Sequence, residues 1–289
     1  MSILKGRLPL WIHLLHAATL CALPKGMEVI SGDVASSQAD VHSLTIQAPN
    51  RSIIHFESFD IGPQERVHFI QPDQNASVLG RIVGQDPTQI LGRLDANGRL
   101  FLVNSQGIYF GPNSSVNVHA LIASTLDIRN EDFLADRYVF QEEGNGSIIN
   151  DGSIVAETSV GFLSSSIQNR GSILAKTGSV LLASGNKVTL DFSGDGLLQF
   201  AVEGDLENAL IENQGFIKAS RGVVDLSLRS AKRALQAVVN TDGLSVANAM
   251  EVVDGTVRLF AKSNIDAACI HIDGDGKTEP VLARIDPLF

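Results

Sequence analysis

Four short phrases in the second half of the chain repeat one pattern. They are "INDGSIVA" from Ile149, "IQNRGSILA" from Ile167, "IENQGFIKA" from Ile211 and "VVNTDGLSVA" from Val238. Each has an Asn, then a Gly after one or two further residues, then a short β-type run ending in Ala. A β-sandwich with unrelated turns has no reason to repeat one turn-strand phrase. A stack of coils does, because every coil must offer the same residue to the coil above it. Successive asparagines lie 19, 44 and 27 residues apart. The 44-residue interval contains "TGSVLLASGNKVTLDF", itself a strand-turn-strand unit, and is expected to hold two coils. The expected fold is therefore all-β, a parallel β-helix whose coils pair at a spacing of about 4.8 Å. Ile154, Ile173 and Ile217 share one phrase position and should line its interior, with Ser172 facing out. Asn150, Gly152, Asn169, Gly171, Asn213 and Gly215 are assigned to the corner turns. Both residue types tolerate the positive φ of a tight bend. Asn side chains stacked at one corner can also bond along the stack.

The first half suits the same architecture. "HSLTIQA", "SIIHF", "RVHFIQ", "RLFLVN", "GIYFG" and "SVNVHA" read as strands bounded by the turn-formers "APN", "IGPQ", "ANG" and "GPN". Gly is plentiful at 26 residues and aromatics scarce at 6%, which favours stacked aliphatic strands over a helical bundle. Two stretches have helical character. "NEDFLADRYVF" opens on Asn130 as an N-cap with Glu131 and Asp132 behind it, and "LRSAKRALQAVV" has apolar residues at helical spacing.

At the N-terminus, Lys5 and Arg7 precede an apolar run from Leu8 to Pro24. Residues 1–21 are expected to be a secretory signal peptide, with cleavage near Cys21 or Ala22. The run contains His13 and His16 and falls short of the roughly 20 apolar residues of a spanning helix. A mature chain would keep Cys269 as its only cysteine and could form no internal disulfide. A net charge of −10 argues against a nucleic-acid partner, since phosphate binding needs clustered Lys and Arg.

No catalytic or metal-binding constellation emerges. His42, His55, His68 and His119 lack the spacing of ligands, and the acidic turn around His271, Asp273 and Asp275 lacks the framework of a calcium loop. Asp191, Asp195, Asp225 and Arg229 do not fall at one position of successive coils. Cys269 reads as a buried small side chain, and the sequons at Asn75 and Asn113 as plain turns. The expectation is a non-enzymatic protein without a cofactor. A β-helix that binds or processes carbohydrate is the alternative, weakened by the few aromatics available to line a groove.

The stretches "ALPKGMEVISGDV", "FESFDIGPQERVHFIQPD", "GRIVGQDPTQILGRLDANGRLFLVNSQGIYFGPNSSVNVHALIASTLDI" and "NEDFLADRYVF" together resemble the haemagglutination-activity, or two-partner-secretion, domain at the start of filamentous haemagglutinin-type exoproteins. The resemblance implies a right-handed parallel β-helix over 22–262, with 263–289 a short C-terminal extension. It also implies an outer-membrane transporter whose POTRA domains bind the unfolded chain, and a bacterial product secreted or held at the cell surface. Such a product would be adhesin-like, with surface glycans as candidate partners, or a regulator that merely occupies the transporter. The family's Asn-Pro-Asn-Gly motif and the Ile or Leu after it correspond to Asn104, Ser105, Gln106, Gly107 and Ile108, where Ser105 and Gln106 depart from it. These five residues are the candidate secretion motif.

Overall fold

The computed structural model describes residues 22–141, 144, 146–192, 199–203, 210–219, 223–228, 240–241, 249–253 and 256–260. Residues 1–21, expected to be a signal peptide, the C-terminal segment with Cys269 and His271, the helical reading beyond Leu228, Asp195 and Arg229 lie outside these residues.

The chain winds into a three-faced parallel β-helix. The first face stacks Ser43–Gln47, Arg66–Ile70, 93–96, 115–118, Ser153–Ala156, Ser172–Ala175 and Phe216–Ala219. The second stacks Ser52–Phe56, Ser77–Ile82, 99–103, 120–124, Val160–Leu163, Val180–Ser184 and Val223–Leu228. The third stacks Thr88–Ile90, Ile108–Phe110, Ile148–Asn150, Ser166–Asn169, Leu210–Asn213 and Asn240–Thr241. Antiparallel strands close the N-terminal end: Glu28–Ser31 pairs with Ser52–Phe56, and Ala35–Asp40 pairs with Ser43–Gln47.

Alternation on the first face sets the interior. Leu44, Val67, Leu94, Val116, Ile154, Ile173 and Ile217 form one buried column through seven coils. Ile46, Phe69, Ala96, Val118, Ala156, Ala175 and Ala219 form the next, so the Ala that ends the first three phrases is a core position. Ser153 and Ser172 face outward, as expected.

Three expectations are corrected. The 44-residue interval adds no extra coil, because Asn169 pairs directly with Asn213. It contains the second-face strand Val180–Ser184 and two strands outside the helix, Lys187–Asp191 and Gln199–Glu203. "ANG" is not a turn between strands, since Arg93–Val103 is continuous through it. Its corner is held by Gln71, whose backbone N–H donates to Asn97 Oδ1 (2.7 Å) and whose Oε1 accepts from Gly98 N–H (3.0 Å). The helix in "NEDFLADRYVF" covers only Asn130–Leu134, with Arg129 as its cap residue and no side-chain cap bond. Asp136, at φ 55°, then reverses the chain into the strand Tyr138–Gln141. Tyr138 and Phe140 are buried at a period of two, not at helical spacing.

That strand belongs to an outer antiparallel sheet of Asp127–Ile128, Tyr138–Gln141, Lys187–Asp191 and Gln199–Glu203. It covers the outside of the second face, where Ile53, Leu79, Phe101, Ile122, Leu163 and Leu181 form a second core with Phe133, Tyr138, Phe140, Val188 and Leu190. Phe101 stacks on Tyr138 at 4.9 Å and meets Phe133 edge-on at 5.4 Å. Buried on both sides, the second face carries unbroken apolar runs such as "LFLV" and "ALIA".

Two substitutions on one strand test the faces. Ile173→Asp buries an unpaired charge between apolar neighbours and should lower the urea midpoint severely, whereas Ser172→Asp should change it little. A more damaged serine variant would mean that the faces are reversed. Phe101→Ala should cost about 3–5 kcal/mol of unfolding free energy, and a loss below about 1 kcal/mol would mean that the outer sheet does not depend on this ring.

Candidate functional site

The candidate motif Asn104–Ile108 forms the corner where the second face passes into the third. Asn104 is fully buried. Its Oδ1 accepts from Gln106 N–H (2.9 Å), an Asx turn, and its Nδ2 donates to Asp86 O and Thr88 Oγ1, each at 3.0 Å. Its backbone N–H donates to Ser124 O of the next coil (3.0 Å), and its carbonyl accepts from Gly107 N–H (3.0 Å). The one side chain thus closes its own turn and ties it to the coil below. Gly107 has φ 119°, a region that L side chains rarely adopt, so its positive-φ assignment holds. Ile108 enters the core between Thr88 and Ile148. Ser105 is exposed and Gln106 partly so, and the turn is closed by the Asn104 side chain and by backbone bonds.

The corner residues of the repeat occupy a different edge, where the third face passes into the first. Asn150 Nδ2 donates to Asn169 Oδ1 (2.7 Å), and Asn169 Nδ2 donates to Asn213 Oδ1 (2.5 Å), a ladder of wholly buried amides. Gly152, Gly171 and Gly215 are not at positive φ, so left-handed freedom is not what selects glycine there. Close approach selects it. A Cβ on Gly171 would strike the Gly152 carbonyl oxygen, and a Cβ on Gly215 would strike that of Gly171. Asn104 and the repeat asparagines look alike in sequence yet belong to separate corners.

Several partners carry no sequence signal because they are far apart in the chain. Gly144 and Gly146 lie against the Asn104 turn: a Cβ on either would collide with backbone of residues 105–107, and Gly146 N–H donates to Ser105 O (3.0 Å). Arg81, with its side chain only 12% exposed, ties the helix to the second face. Its Nε donates to Asp127 Oδ1 (2.8 Å), its Nη1 to Asn130 Oδ1 (2.7 Å), and its Nη2 to the Ile128 carbonyl. Nη1 also lies 2.9 Å from His55 Nε2. A guanidinium only donates, so this nitrogen must accept, which places the His55 proton on Nδ1 and keeps the ring neutral. Burial, reinforced by the Arg81 charge, holds the His55 pKa below the usual histidine value. Burial likewise lowers His68, beside Arg66, and His119, beside Arg99.

The family described as TPS secretion domain matches residues 23–278. A heme/hemopexin-binding protein of the Rd strain of Haemophilus influenzae is 31% identical over 226 residues, which is 74% of this chain and 24% of that protein. A second heme/hemopexin-binding protein of Haemophilus influenzae is 29% identical over 284 residues, 87% of this chain and 30% of that protein. The chain thus spans less than a third of the length of either. Among solved structures, the HMW1 secretion domain from Haemophilus influenzae superposes with a TM-score of 0.62 at 30% identity, over 67% of this chain and 53% of that one.

The corners make separate predictions. Asn169→Ala leaves buried partners unpaired on both sides and should cost about 1–3 kcal/mol each, read as a fall in the urea midpoint. Gly171→Ala should be at least as damaging, through a clash that no side-chain rotation relieves, and Gly107→Val should fold poorly through backbone strain. Parent-like melting of Gly107→Val would overturn the left-handed assignment. The histidines set a pH dependence. Their folded pKa values lie below the unfolded one, so the unfolded chain binds more protons and stability falls as pH drops below about 6.5. The carboxylates of Asp136, paired with Arg51, and Asp151, paired with Arg170, are lowered too, but their stabilisation is lost only in the more acidic carboxylate range. The His55 ring signals should titrate below the free-histidine value, and a titration above it would exclude the neutral, Arg81-bound form.

Proposed function

The chain belongs to the TPS secretion domain family, and from that premise we propose that its β-helix segment is the address by which a transporter with periplasmic POTRA domains selects it before it folds. Members of the family are two-partner-secretion exoproteins, each with a cognate outer-membrane transporter. The exported product, in our reading, is an adhesin-like protein at the cell surface or in the medium that works by binding and not by catalysis. What the heme/hemopexin-binding relatives bind is a property of proteins more than three times the aligned length, and it guides the choice of ligands to try.

One observation carries the timing. Asn104 and Ile108 are buried, with both polar atoms of the Asn104 side chain engaged within the protein. A partner meeting the finished coil has only Ser105 and part of Gln106 to touch. Recognition of this motif therefore belongs to the unfolded chain, whose strands of alternating or continuous apolar residues suit addition to an exposed sheet edge. Folding then withdraws the motif and releases the partner.

The test uses the purified periplasmic part of a two-partner-secretion transporter. Chain freshly diluted from urea should bind it, chain already folded should not, and Asn104→Ala with Ile108→Ala should weaken the first interaction. Equal capture of folded and unfolded chain would overturn the proposed timing. In cells, removing the transporter should leave the chain in the periplasm, and undiminished appearance in the medium would overturn the route.

A further inference from the structure

On the outward side of the first face, Arg66 and Arg93 are direct register partners on successive coils. Like charges stacked at the strand spacing of about 4.8 Å repel. One carboxylate lies between them. Asp95, with a side chain only 9% exposed, accepts from Arg66 Nε (2.7 Å) and, through both oxygens, from Arg93 Nε (2.7 and 3.0 Å). The two arginine side chains are about half exposed, at 46% and 54%. Both use only Nε on Asp95, so their Nη groups have no protein partner among the described residues. Two charges face one countercharge, which leaves a net positive spot in a chain of net charge −10. Its shape is specific: two guanidinium forks, anchored at the back by a buried carboxylate and presenting N–H donors forward. That arrangement matches a carboxylate or a sulfate.

The face is hydrophilic beside the pair and turns apolar only on later coils, at Val155, Leu174 and Phe216. Ser43 and Ser115 flank the arginine pair in the same column. Asn117 is the register partner of Asp95 and also lines a shallow cavity of about 330 Å³ with His119, Glu157 and Lys176. We propose that Arg66 and Arg93 bind an oxyanion group, carboxylate or sulfate, of an acidic polysaccharide whose hydroxyls run along this face. The inference deepens the adhesin-like reading and rests on it for its biological sense. It is measured on purified, folded chain, so its failure and a failure of the export route are separate results.

Titration calorimetry with polygalacturonate, dextran sulfate and uncharged dextran tests it. Binding of at least one acidic polymer, weakening with salt, together with none of the dextran, is expected; which acidic polymer binds identifies the group. The triple variant Arg66→Gln, Arg93→Gln, Asp95→Asn removes charge without leaving a buried carboxylate unpaired. It should melt like the parent and lose the binding. Asp95→Asn alone frees the second positive charge and should bind more tightly. No binding of either acidic polymer, equal binding of dextran, or parent-like binding by the triple variant would overturn the proposal.

Discussion

The hydrogen bond from one buried asparagine amide to the next, Asn150 to Asn169 to Asn213, is the contact on which the coil register depends. An aliphatic column tolerates exchange of Ile for Val or Leu and specifies position only loosely. A desolvated amide does not, because any slip leaves a donor and an acceptor without water or partner. The glycine two residues along adds a steric condition to the polar one, since the coils approach too closely there for a side chain. With this edge in register, Ile154, Ile173 and Ile217 align, and so do the alanines that follow them.

The second face answers a different need. Its strands are apolar on both sides, so a bare helix would expose Phe101, Ile122 and Leu181 to water. The outer sheet and the short helix cover them, and the Arg81 cluster fastens that cover through Asp127, Asn130 and the Ile128 carbonyl. Burying a guanidinium is costly unless its donors are met. Arg81 therefore demands the local geometry that its partners supply, and the cover has one seat on the stack.

The period-2 columns and the repeated Asn-x-Gly phrase made the stack, its inward isoleucines and the asparagine ladder readable in advance, since each depends on residues close in the chain or at equal phrase positions. Less accessible was what depends on distance. Whether the long interval added a coil or an excursion turned on the pairing of Asn169 with Asn213, which no local signal encodes. Acidic residues and Asn130 gave "NEDFLADRYVF" a helical look, yet Tyr138 and Phe140 were claimed by the second core. At the candidate motif, the positive φ of Gly107 was legible from its turn chemistry. Its clamp by Asp86, Thr88 and the glycines at 144 and 146 was not. Glycine in the repeat was assigned correctly but for the wrong reason, because crowding and backbone freedom select the same residue.

The second face begins and ends in antiparallel pairings, Glu28–Ser31 at one end and Thr256–Phe260 with Ala249–Val253 at the other. Parallel in-register strands are the geometry by which amyloid seeds recruit identical chains, each new copy reading the slanted hydrogen-bond pattern of the last. Reversing the strand direction changes that pattern. Among the described residues the two edges differ: Glu28–Ser31 runs against the strands of the face, while Ala249–Val253, reversed twice, runs with them. A copy stacked head to tail would therefore have to bridge the joint by antiparallel pairing, and the slanted ladder that runs through the coils would stop there.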